Sequence, residues 1–152
     1  MAGLGTSSSD ILTAVDYLRS GGVVGVPTET VYGLAAAAFN IDAVSEIYRL
    51  KGRPANNPLI LHIHHQDQID QLATTIPEAL PRLVEAFWPG PLTVVLKSQT
   101  SVPDIVRAGG DTVAIRLPSH SVFQQVLTTI DEPLAAPSAN RSNHISPTTA
   151  LH

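Results

Sequence analysis

The sequence contains no cysteine. This absence excludes disulfides, cysteine nucleophiles and cysteine-type zinc sites, and it is compatible with a reducing cytoplasm. The first ten residues hold no basic start followed by an apolar run, so no secretory signal peptide is evident. The longest apolar runs are far shorter than a membrane span. We therefore expect a cytoplasmic protein that does not associate with membranes.

Charged residues are also sparse, at 14% of the chain, and the formal net charge is −4. A broad surface for nucleic acid normally shows clustered Lys and Arg, and this composition argues against one. A local pocket for a nucleotide stays compatible with it. The phosphate-binding patterns GxxxxGKS/T and GxGxxG are both missing. An ATP site would therefore have to be built from side chains and loop amides.

The chain does contain enough apolar residues for a substantial core, since 43% of its 152 residues are hydrophobic. Strand patterns alternate with helix patterns, which predicts a single α/β domain on one open, twisted, mixed sheet flanked by helices. The predicted strands are 23–26, 59–63, 92–97, 112–117 and 134–136, and 31–39 is predicted as irregular structure followed by a strand. The predicted helices are one that Ser9 or Asp10 caps, then 42–50, 67–73, 77–87 and 119–129, and a last one that Pro147 opens. We expect loops at 98–110 and 138–146, and a flexible tail over 1–8 before the domain at 9–152.

Helical spacing assigns the side chains that face the core. They are Ile11, Ala14, Val15 and Leu18 in the first helix, Ala43, Val44, Ile47, Tyr48 and Leu50 in the second, Ile69, Leu72 and Ala73 in the third, Leu80, Val84 and Phe87 in the fourth, and Val122, Phe123, Val126 and Leu127 in the fifth.

Polar side chains concentrate at the ends of the elements between Val23 and Ile63, which is where α/β proteins place their chemistry. Asn40 or Asp42 caps the helix 42–50, and Gly52 ends it. Lys51 and Arg53 therefore emerge at the carboxyl end of this helix. They either compensate the helix dipole, which contributes about 0.3–1 kcal/mol, or they form a site for an anion such as phosphate.

Arg116 is a charged residue in an otherwise apolar strand, on the same face as Thr112. A buried or half-buried Arg needs an anionic partner, which is either a structural carboxylate or a ligand.

The cluster His62, His64 and His65 suggests a metal, because His62 and His64 would share one face of a strand. Asp67 is the nearby carboxylate. We favour the alternative in which His62 lines a substrate site, His64 and His65 lie at a sheet edge, and no metal binds.

Five blocks in this order, PTETVYGLAA, KGRPANNPLILHI, FWPGPLTVVL, DTVAIRLPSH and APSANRSNHISPT, resemble the threonylcarbamoyl-AMP synthase (YrdC-like) family. The resemblance runs from about Val23 to the last residue. It implies an open twisted sheet around a concave pocket. It also implies a nucleotidyltransferase that converts ATP, L-threonine and bicarbonate to threonylcarbamoyl-adenylate and pyrophosphate. That product supplies the N6-threonylcarbamoyl group (t6A) on adenosine 37 of tRNAs, through a downstream threonylcarbamoyl transferase machinery.

The resemblance also implies the role of individual residues. Lys51 and Arg53 would be catalytic, countering charge on the triphosphate and the carbonate oxygens. The residues expected to bind ATP are Lys51, Arg53, Asn57, Thr112, Ser138, Asn140 and Ser146, and those expected to bind L-threonine are Thr28, His62 and Arg116. Glu29 and Tyr32 are given support roles only. Magnesium is expected with the ATP, held by phosphates and water, and no tightly bound cofactor is expected. Without the resemblance, Ser138 and Asn140 would be interpreted as ordinary turn residues.

The chain departs from the family pattern at Ala35 and Asn143, where the family usually or often has Gly. It also stops where family members continue, so we expect it to lack the family's last strands, to expose a sheet edge, to bind ATP weakly and to turn over poorly. Two alternatives to the synthase are a YrdC-like nucleotide- or RNA-binding module without synthase activity, which leaves contact with tRNA open, and a domain of a hydrogenase-maturation carbamoyltransferase. The carbamoyltransferase is disfavoured because such chains carry zinc-finger-like segments, and this chain has no cysteine. A serine hydrolase is disfavoured because Ser138 is not in a GxSxG elbow.

Overall fold

A computed structural model describes residues 2–3, 8–27, 32–52 and 57–137 of the chain. The helices are α1 (Ser8–Arg19), α2 (Ile41–Lys51), α3 (Leu80–Phe87), α4 (Asp104–Arg107) and α5 (Ser121–Ile130), with a 3₁₀ helix at Gln66–Gln71. The strands are β1 (Ala2–Gly3), β2 (Val24–Pro27), β3 (Tyr32–Ala37), β4 (Ile60–His62), β5 (Thr93–Lys97), β6 (Thr112–Arg116) and β7 (Leu134–Ala136). The alternation of strands and helices confirms the predicted α/β class.

Among the described residues, seven strands form one mixed sheet in the order β1-β2-β3-β7-β4-β6-β5. The pairs β1–β2 and β4–β6 are parallel, and the other neighbours are antiparallel. Strands β1 and β5 therefore lie at the two edges. The centre of the sheet is β7 and β4, so segments far apart in sequence meet there.

Helices cover both faces of the sheet. On one face α1 and α5 pack on β2, β3 and β7, and the shared core contains Leu18, Val24, Ala35, Phe123 and Leu134. On the other face, side chains of α2, α3 and α4 surround Leu61 of β4, Ile115 of β6 and Ile63, which directly follows β4. Alternate residues of one strand thus enter different cores, and this alternation decides which face His62 and Arg116 occupy.

Local chemistry explains where α2 begins and ends. The Asn40 side chain accepts a hydrogen bond from the amide of Ala43 at 3.0 Å, which confirms Asn40 as the cap. Gly52 ends the helix with a φ of 62°, a left-handed conformation that a residue without a Cβ adopts at little cost. The four predicted inward residues of α1 are all buried.

Two predicted core residues are wrong. Leu50 is 41% exposed and Phe87 is 57% exposed. Both lie in the last turn of their helices, which the other described residues leave uncovered. Helix α3 also begins at Leu80 rather than at 77, with Pro81 in its first turn, where a missing amide proton is tolerated.

Two segments have a different secondary structure from the prediction. Residues 66–71 form a 3₁₀ helix, because the amides of Gln68 and Leu72 bond three residues back and the His65 ring caps the first turn. The predicted loop 98–110 contains α4, which is a single turn.

The amino terminus also contributes to the sheet. Ala2 and Gly3 pair with Val24 and Gly25, whereas the sequence predicted a flexible tail over 1–8. Small residues give no side-chain signal for backbone pairing, so this strand was not anticipated. The loop predicted at 138–146 and the helix predicted from Pro147 lie outside the described residues.

No helix in the described part of the chain is long and apolar enough to cross a lipid bilayer.

Candidate functional site

Three polar side chains lie side by side on neighbouring strands. His62 of β4 is in register with Arg116 of β6, and Arg116 is in register with Thr93 of β5. Residues directly paired across strands point to the same face of a sheet. That face is the one that α5 partly covers, because the ring of His62 lies 5.0 Å from the ring of Phe123.

The same face is open to solvent over β5 and β6. Among its residues Val95 is 63% exposed, and Lys97 and Thr112 are also exposed. Ala114 and Thr93 are half-buried, and Arg116 is 8% exposed. We call these six residues, Thr93, Val95, Lys97, Thr112, Ala114 and Arg116, the open sheet face. Its buried end is polar, which suits a small charged ligand that enters from the solvent side.

Arg116 is held by a hydroxyl group. Its Nε donates to Thr93 Oγ1 at 2.9 Å and its Nη2 donates to the same atom at 2.7 Å. A guanidinium stays protonated in proteins and carries five N–H donors, so Arg116 brings a fixed positive charge into a nearly buried position. A carboxylate is the ligand that matches this charge and geometry.

His62 is more deeply buried than Arg116, at 3% exposure. Its ring packs against Phe123 with an interplanar angle of 35°. The aromatic contact and the strand backbone together fix the plane of the imidazole. The structure therefore brings together two of the three predicted L-threonine ligands, His62 and Arg116, whereas Thr28 lies outside the described residues.

The other two histidines of the cluster have separate structural contacts. Strand β4 ends at His62, so His64 lies beyond it, where its Nε2 is 2.8 Å from Asp131 Oδ1 at the end of α5. His65 Nδ1 accepts from the amide of Asp67 at 3.1 Å and caps the 3₁₀ helix. The placement of His64 and His65 at a sheet edge is therefore wrong, and they occupy the turn that follows β4. In the described part of the chain, no group of three or more His, Asp or Glu side chains could hold a metal ion.

Two of the predicted ATP ligands lie at the opposite end of the parallel pair. Asn57 precedes β4, and Thr112 is the first residue of β6. Thr112 is four residues before Arg116, about 13 Å along the strand at roughly 3.3 Å per residue. Strand β7 is antiparallel to β4, with Ala136 opposite Ile60, so the chain also leaves β7 at this end.

A tyrosine of α2 fixes the backbone at Asn57. Tyr48 Oη lies 2.6 Å from the carbonyl oxygen of Asn57 and 2.9 Å from that of Ile105. The phenol thereby ties α2, α4 and the entry to β4 together. Asn57 is half-buried as a result, and its position relative to the end of α2 is fixed.

Lys51 is exposed at the carboxyl end of α2, and it forms no ion pair with another described residue. The neighbouring cation Arg49 is already engaged, because it forms a two-point ion pair with Glu46. The hydrogen bond from Arg49 lowers the pKa of the Glu46 carboxyl and raises that of the guanidinium. Lys51 is therefore the cation of α2 that is available to an anionic ligand. Its position at the carboxyl end of α2 suits compensation of the helix dipole as well.

Several predicted residues lie outside the described ranges. They are Thr28, Glu29, Arg53, Ser138, Asn140, Asn143 and Ser146, and the Tyr32 side chain is also outside. Ala35 is described, and it is fully buried in the core beneath α1 and α5. Its methyl group therefore packs in that core.

Sequence reasoning missed two residues of the site, Thr93 and Phe123. Phe123 was predicted only as a core residue. Thr93 was part of a predicted strand and of the block FWPGPLTVVL, but nothing in the sequence pairs it with a residue 23 positions later. The available signal was Arg116 itself, a charged residue in an apolar strand whose N–H donors need an acceptor, because a hydroxyl group can accept from them as well as an anion.

Comparison with known proteins gives consistent matches. The family model for Sua5, YciO and YrdC proteins, described as telomere recombination, matches residues 16–152. The threonylcarbamoyl-AMP synthase of Pyrococcus abyssi is 48% identical over 142 residues, which are 93% of this chain and 42% of that protein. The threonylcarbamoyl-AMP synthase of Bacillus subtilis is 46% identical over 150 residues, which are 98% of this chain and 43% of that protein. The chain thus spans less than half the length of these relatives.

Solved structures agree with the fold. Sua5 of P. abyssi, in a crystal structure with L-threonine, superposes with a TM-score of 0.87 and 44% sequence identity, covering 97% of this chain and 44% of that one. The match of the family model extends over most of the sequence and includes every strand from β2 to β7. The chain therefore belongs to the Sua5/YciO/YrdC family, as the five sequence blocks predicted.

Proposed function

We propose that this chain is a threonylcarbamoyl-AMP synthase domain, which makes threonylcarbamoyl-AMP and pyrophosphate from L-threonine, bicarbonate and ATP for the t6A modification of tRNA. The observation that carries the proposal is the register of His62 with Arg116, which puts a buried imidazole beside the guanidinium at the buried end of the open sheet face. A buried cation favours a small anionic ligand, and the carboxylate of an amino acid fits. The crystal structure of P. abyssi Sua5 with L-threonine supports the same ligand.

The reaction divides into two balanced steps. The amine nitrogen of L-threonine forms a bond to the carbon of bicarbonate and water is released, which gives a carbamate. A carbamate oxygen then forms a bond to the α-phosphorus of ATP while the bond from that phosphorus to the bridging oxygen breaks. Pyrophosphate leaves with the electron pair. No covalent link to the protein is needed, so positioning and charge neutralisation would supply most of the rate.

The residues of the proposed site would contribute to each step by charge and by hydrogen bonding. Arg116 and His62, with Thr28, would hold L-threonine at the buried end, so that its amine faces the solvent side. The nucleotide would extend along the open sheet face toward Thr112 and Asn57, with Ser138, Asn140 and Ser146 as further contacts. Lys51 and Arg53 would neutralise the charge that develops on the leaving pyrophosphate.

Magnesium would arrive with the triphosphate. Phosphate oxygens and water commonly supply most of its ligands in ATP-dependent enzymes, and it neutralises phosphate charge there. The cytoplasmic location and the delivery of the product to a threonylcarbamoyl transferase are parts of the same proposal.

The test is the release of pyrophosphate from ATP by the 152-residue chain, with and without L-threonine and bicarbonate. Release that requires both co-substrates, and that Lys51→Ala reduces, is the expected result. Release without L-threonine would indicate a different adenylating enzyme.

A folded chain that binds ATP but releases no pyrophosphate would overturn the proposal for this chain and favour a nucleotide-binding module. Binding of tRNA with a steep dependence on salt would favour an RNA-binding module instead.

A further inference from the structure

Thr93 is a hydrogen-bond partner of Arg116 among the described residues, and it accepts from two of its nitrogen atoms. Both the Nε and the Nη2 of Arg116 donate to the one hydroxyl oxygen of Thr93, at 2.9 and 2.7 Å. A single acceptor on two adjacent donors fixes both the position and the plane of the guanidinium. Thr93 is half-buried and Arg116 is 8% exposed, so water competes little for these donors.

The position of Thr93 is itself fixed by the turn before β5. The indole Nε1 of Trp88 donates to the carbonyl of Leu92 at 2.8 Å, directly before Thr93. The amide of Gly90 donates to the carbonyl of Leu117 at 2.9 Å, directly after Arg116. This turn, Trp88–Leu92, thereby joins the start of β5 to the end of β6. The turn therefore supports the pairing of Thr93 with Arg116 at one end, and the antiparallel β5–β6 ladder continues it at the other.

We infer that Thr93 is a positioning residue that presents the Arg116 guanidinium to the carboxylate of L-threonine. The inference rests on the proposed function, because it needs L-threonine at Arg116. A carboxylate bound by two parallel hydrogen bonds is sensitive to the rotation of the guanidinium plane. An Arg side chain without a fixed partner has several rotatable bonds, so a defined partner keeps it in one orientation before the substrate arrives.

The hydroxyl group of Thr93 is the part of the side chain that acts. Thr93→Val keeps the β-branched shape and the strand propensity but removes the acceptor. Thr93→Ser keeps the acceptor and removes the methyl group. A role in packing alone would make Ser the worse substitution, whereas a role in positioning makes Val the worse one. The exposed Thr128 of α5 offers a matched control, Thr128→Val, outside the site.

The experiment measures L-threonine and ATP binding to the full chain by titration calorimetry, and the KM for each substrate where turnover is measurable. Thr93→Val should weaken L-threonine binding about tenfold, as expected for a lost hydrogen bond to a charged group, and should leave ATP binding close to the wild-type value. Thr128→Val should behave as the wild type, and Thr93→Ser, which keeps the acceptor, should lose much less affinity for L-threonine than Thr93→Val. In ¹⁵N NMR spectra, the Arg116 Nε–H signal should exchange with water faster in Thr93→Val than in wild type or Thr93→Ser.

Three results would overturn the inference. They are unchanged L-threonine binding in Thr93→Val, equal losses in the Val and Ser variants, or an equal loss of ATP binding. If the wild-type chain binds ATP but no L-threonine, the proposed function fails and the inference falls with it. If the wild type binds L-threonine and Thr93→Val binds it equally well, the inference fails and the proposed function stands.

Discussion

The two ends of the parallel pair β4–β6 differ in how much of the candidate site the sheet itself builds. At the carboxyl end His62 and Arg116 are 3% and 8% exposed, and each has a defined side-chain contact, Phe123 for one and Thr93 for the other. At the amino end Thr112 is exposed, and Lys51 reaches solvent from the end of a helix. Strand register and packing hold the side chains of His62 and Arg116. Thr112 and Lys51 lie at the ends of a strand and a helix, where they are exposed.

Burial and side-chain contacts indicate which part of the candidate site is organised before ligand binds. Side chains fixed by packing and by hydrogen bonds lose little freedom when a ligand arrives, and exposed ones lose more. The buried end should therefore select its ligand by geometry. The exposed end should act by charge, and charge at an exposed position is screened by salt. Substitutions at each end and changes in ionic strength distinguish selection by geometry from action by charge.

The largest effect is expected from Arg116. Arg116→Ala should reduce kcat/KM for L-threonine about 100-fold or more, because it removes a nearly buried charge that the proposed carboxylate would bind in two-point geometry. Arg116→Lys should recover only part of the loss, since an ammonium group lacks the planar fork. Steady-state kinetics with varied L-threonine measure both.

Arg82→Ala, at an exposed position on α3, is the control for loss of a positive charge. It should match the wild type. An Arg116→Ala variant that is folded and keeps the wild-type KM for L-threonine would remove Arg116 from the site.

The next effect separates Lys51 from its neighbour. Lys51→Ala should raise the KM for ATP about tenfold at low salt, because one exposed cation near a triphosphate contributes roughly 1.4 kcal/mol. Arg49→Ala should leave this KM unchanged, since Arg49 is paired with Glu46. Raising the ionic strength to about 1 M shortens the Debye length to about 3 Å and should reduce the difference between wild type and Lys51→Ala.

The buried end of the site should depend less on salt, and the KM for L-threonine measures this dependence. The KM for L-threonine should respond much less to the same salt, because screening is weaker at a nearly buried charge. If the KM values for both substrates rise in parallel with salt, the two ends do not differ in the way that their exposure indicates.

A smaller effect on stability is expected at the turn Trp88–Leu92. An added methyl group on Gly90 would lie 2.7 Å from the carbonyl oxygen of Phe87, which is a backbone atom and cannot move away easily. Gly90→Ala should therefore lower the free energy of unfolding by about 1–3 kcal/mol. Urea denaturation measures this change.

The matched control is Gly110→Ala, whose methyl group would meet the carbonyl oxygen of Arg107 at 3.4 Å, near an ordinary contact distance. It should have the smaller effect. If Gly90→Ala loses no more stability than Gly110→Ala, the turn Trp88–Leu92 tolerates the added methyl group.

The features of the fold and of the candidate site that depend on local periodicity could be predicted from the sequence. The inward faces of α1 and α5 follow from the spacing of apolar residues, and the alternation in β6 correctly puts Arg116 on the face of Thr112. The same reasoning failed for Phe87, because periodicity assigns a face to a helix without showing which turns of that face other elements cover.

The contact between Thr93 and Arg116 could not be predicted, because it depends on strand order. Strand β6 pairs with β4 on one side and with β5 on the other, and no local pattern encodes these neighbours. Family resemblance identified His62 and Arg116 as a pair of ligands, but it gave no partner for the guanidinium. The part of the site that depends on pairing between distant segments therefore required the structure.

The smallest effect is expected from Glu46, which tests whether the exposed ion pair on α2 matters for folding. Because Arg49 lowers the pKa of Glu46, the pair contributes to stability above the pKa of the carboxyl in the unfolded chain, and the contribution is lost as the pH falls through the lowered pKa in the folded state. Both side chains are well exposed, at 67% for Arg49 and 40% for Glu46, so solvent screens their attraction. Thermal unfolding of Glu46→Gln should match the wild type at neutral pH and in mild acid. A clear loss of stability at neutral pH that disappears in acid would show that this pair supports α2, and with it the placement of Lys51.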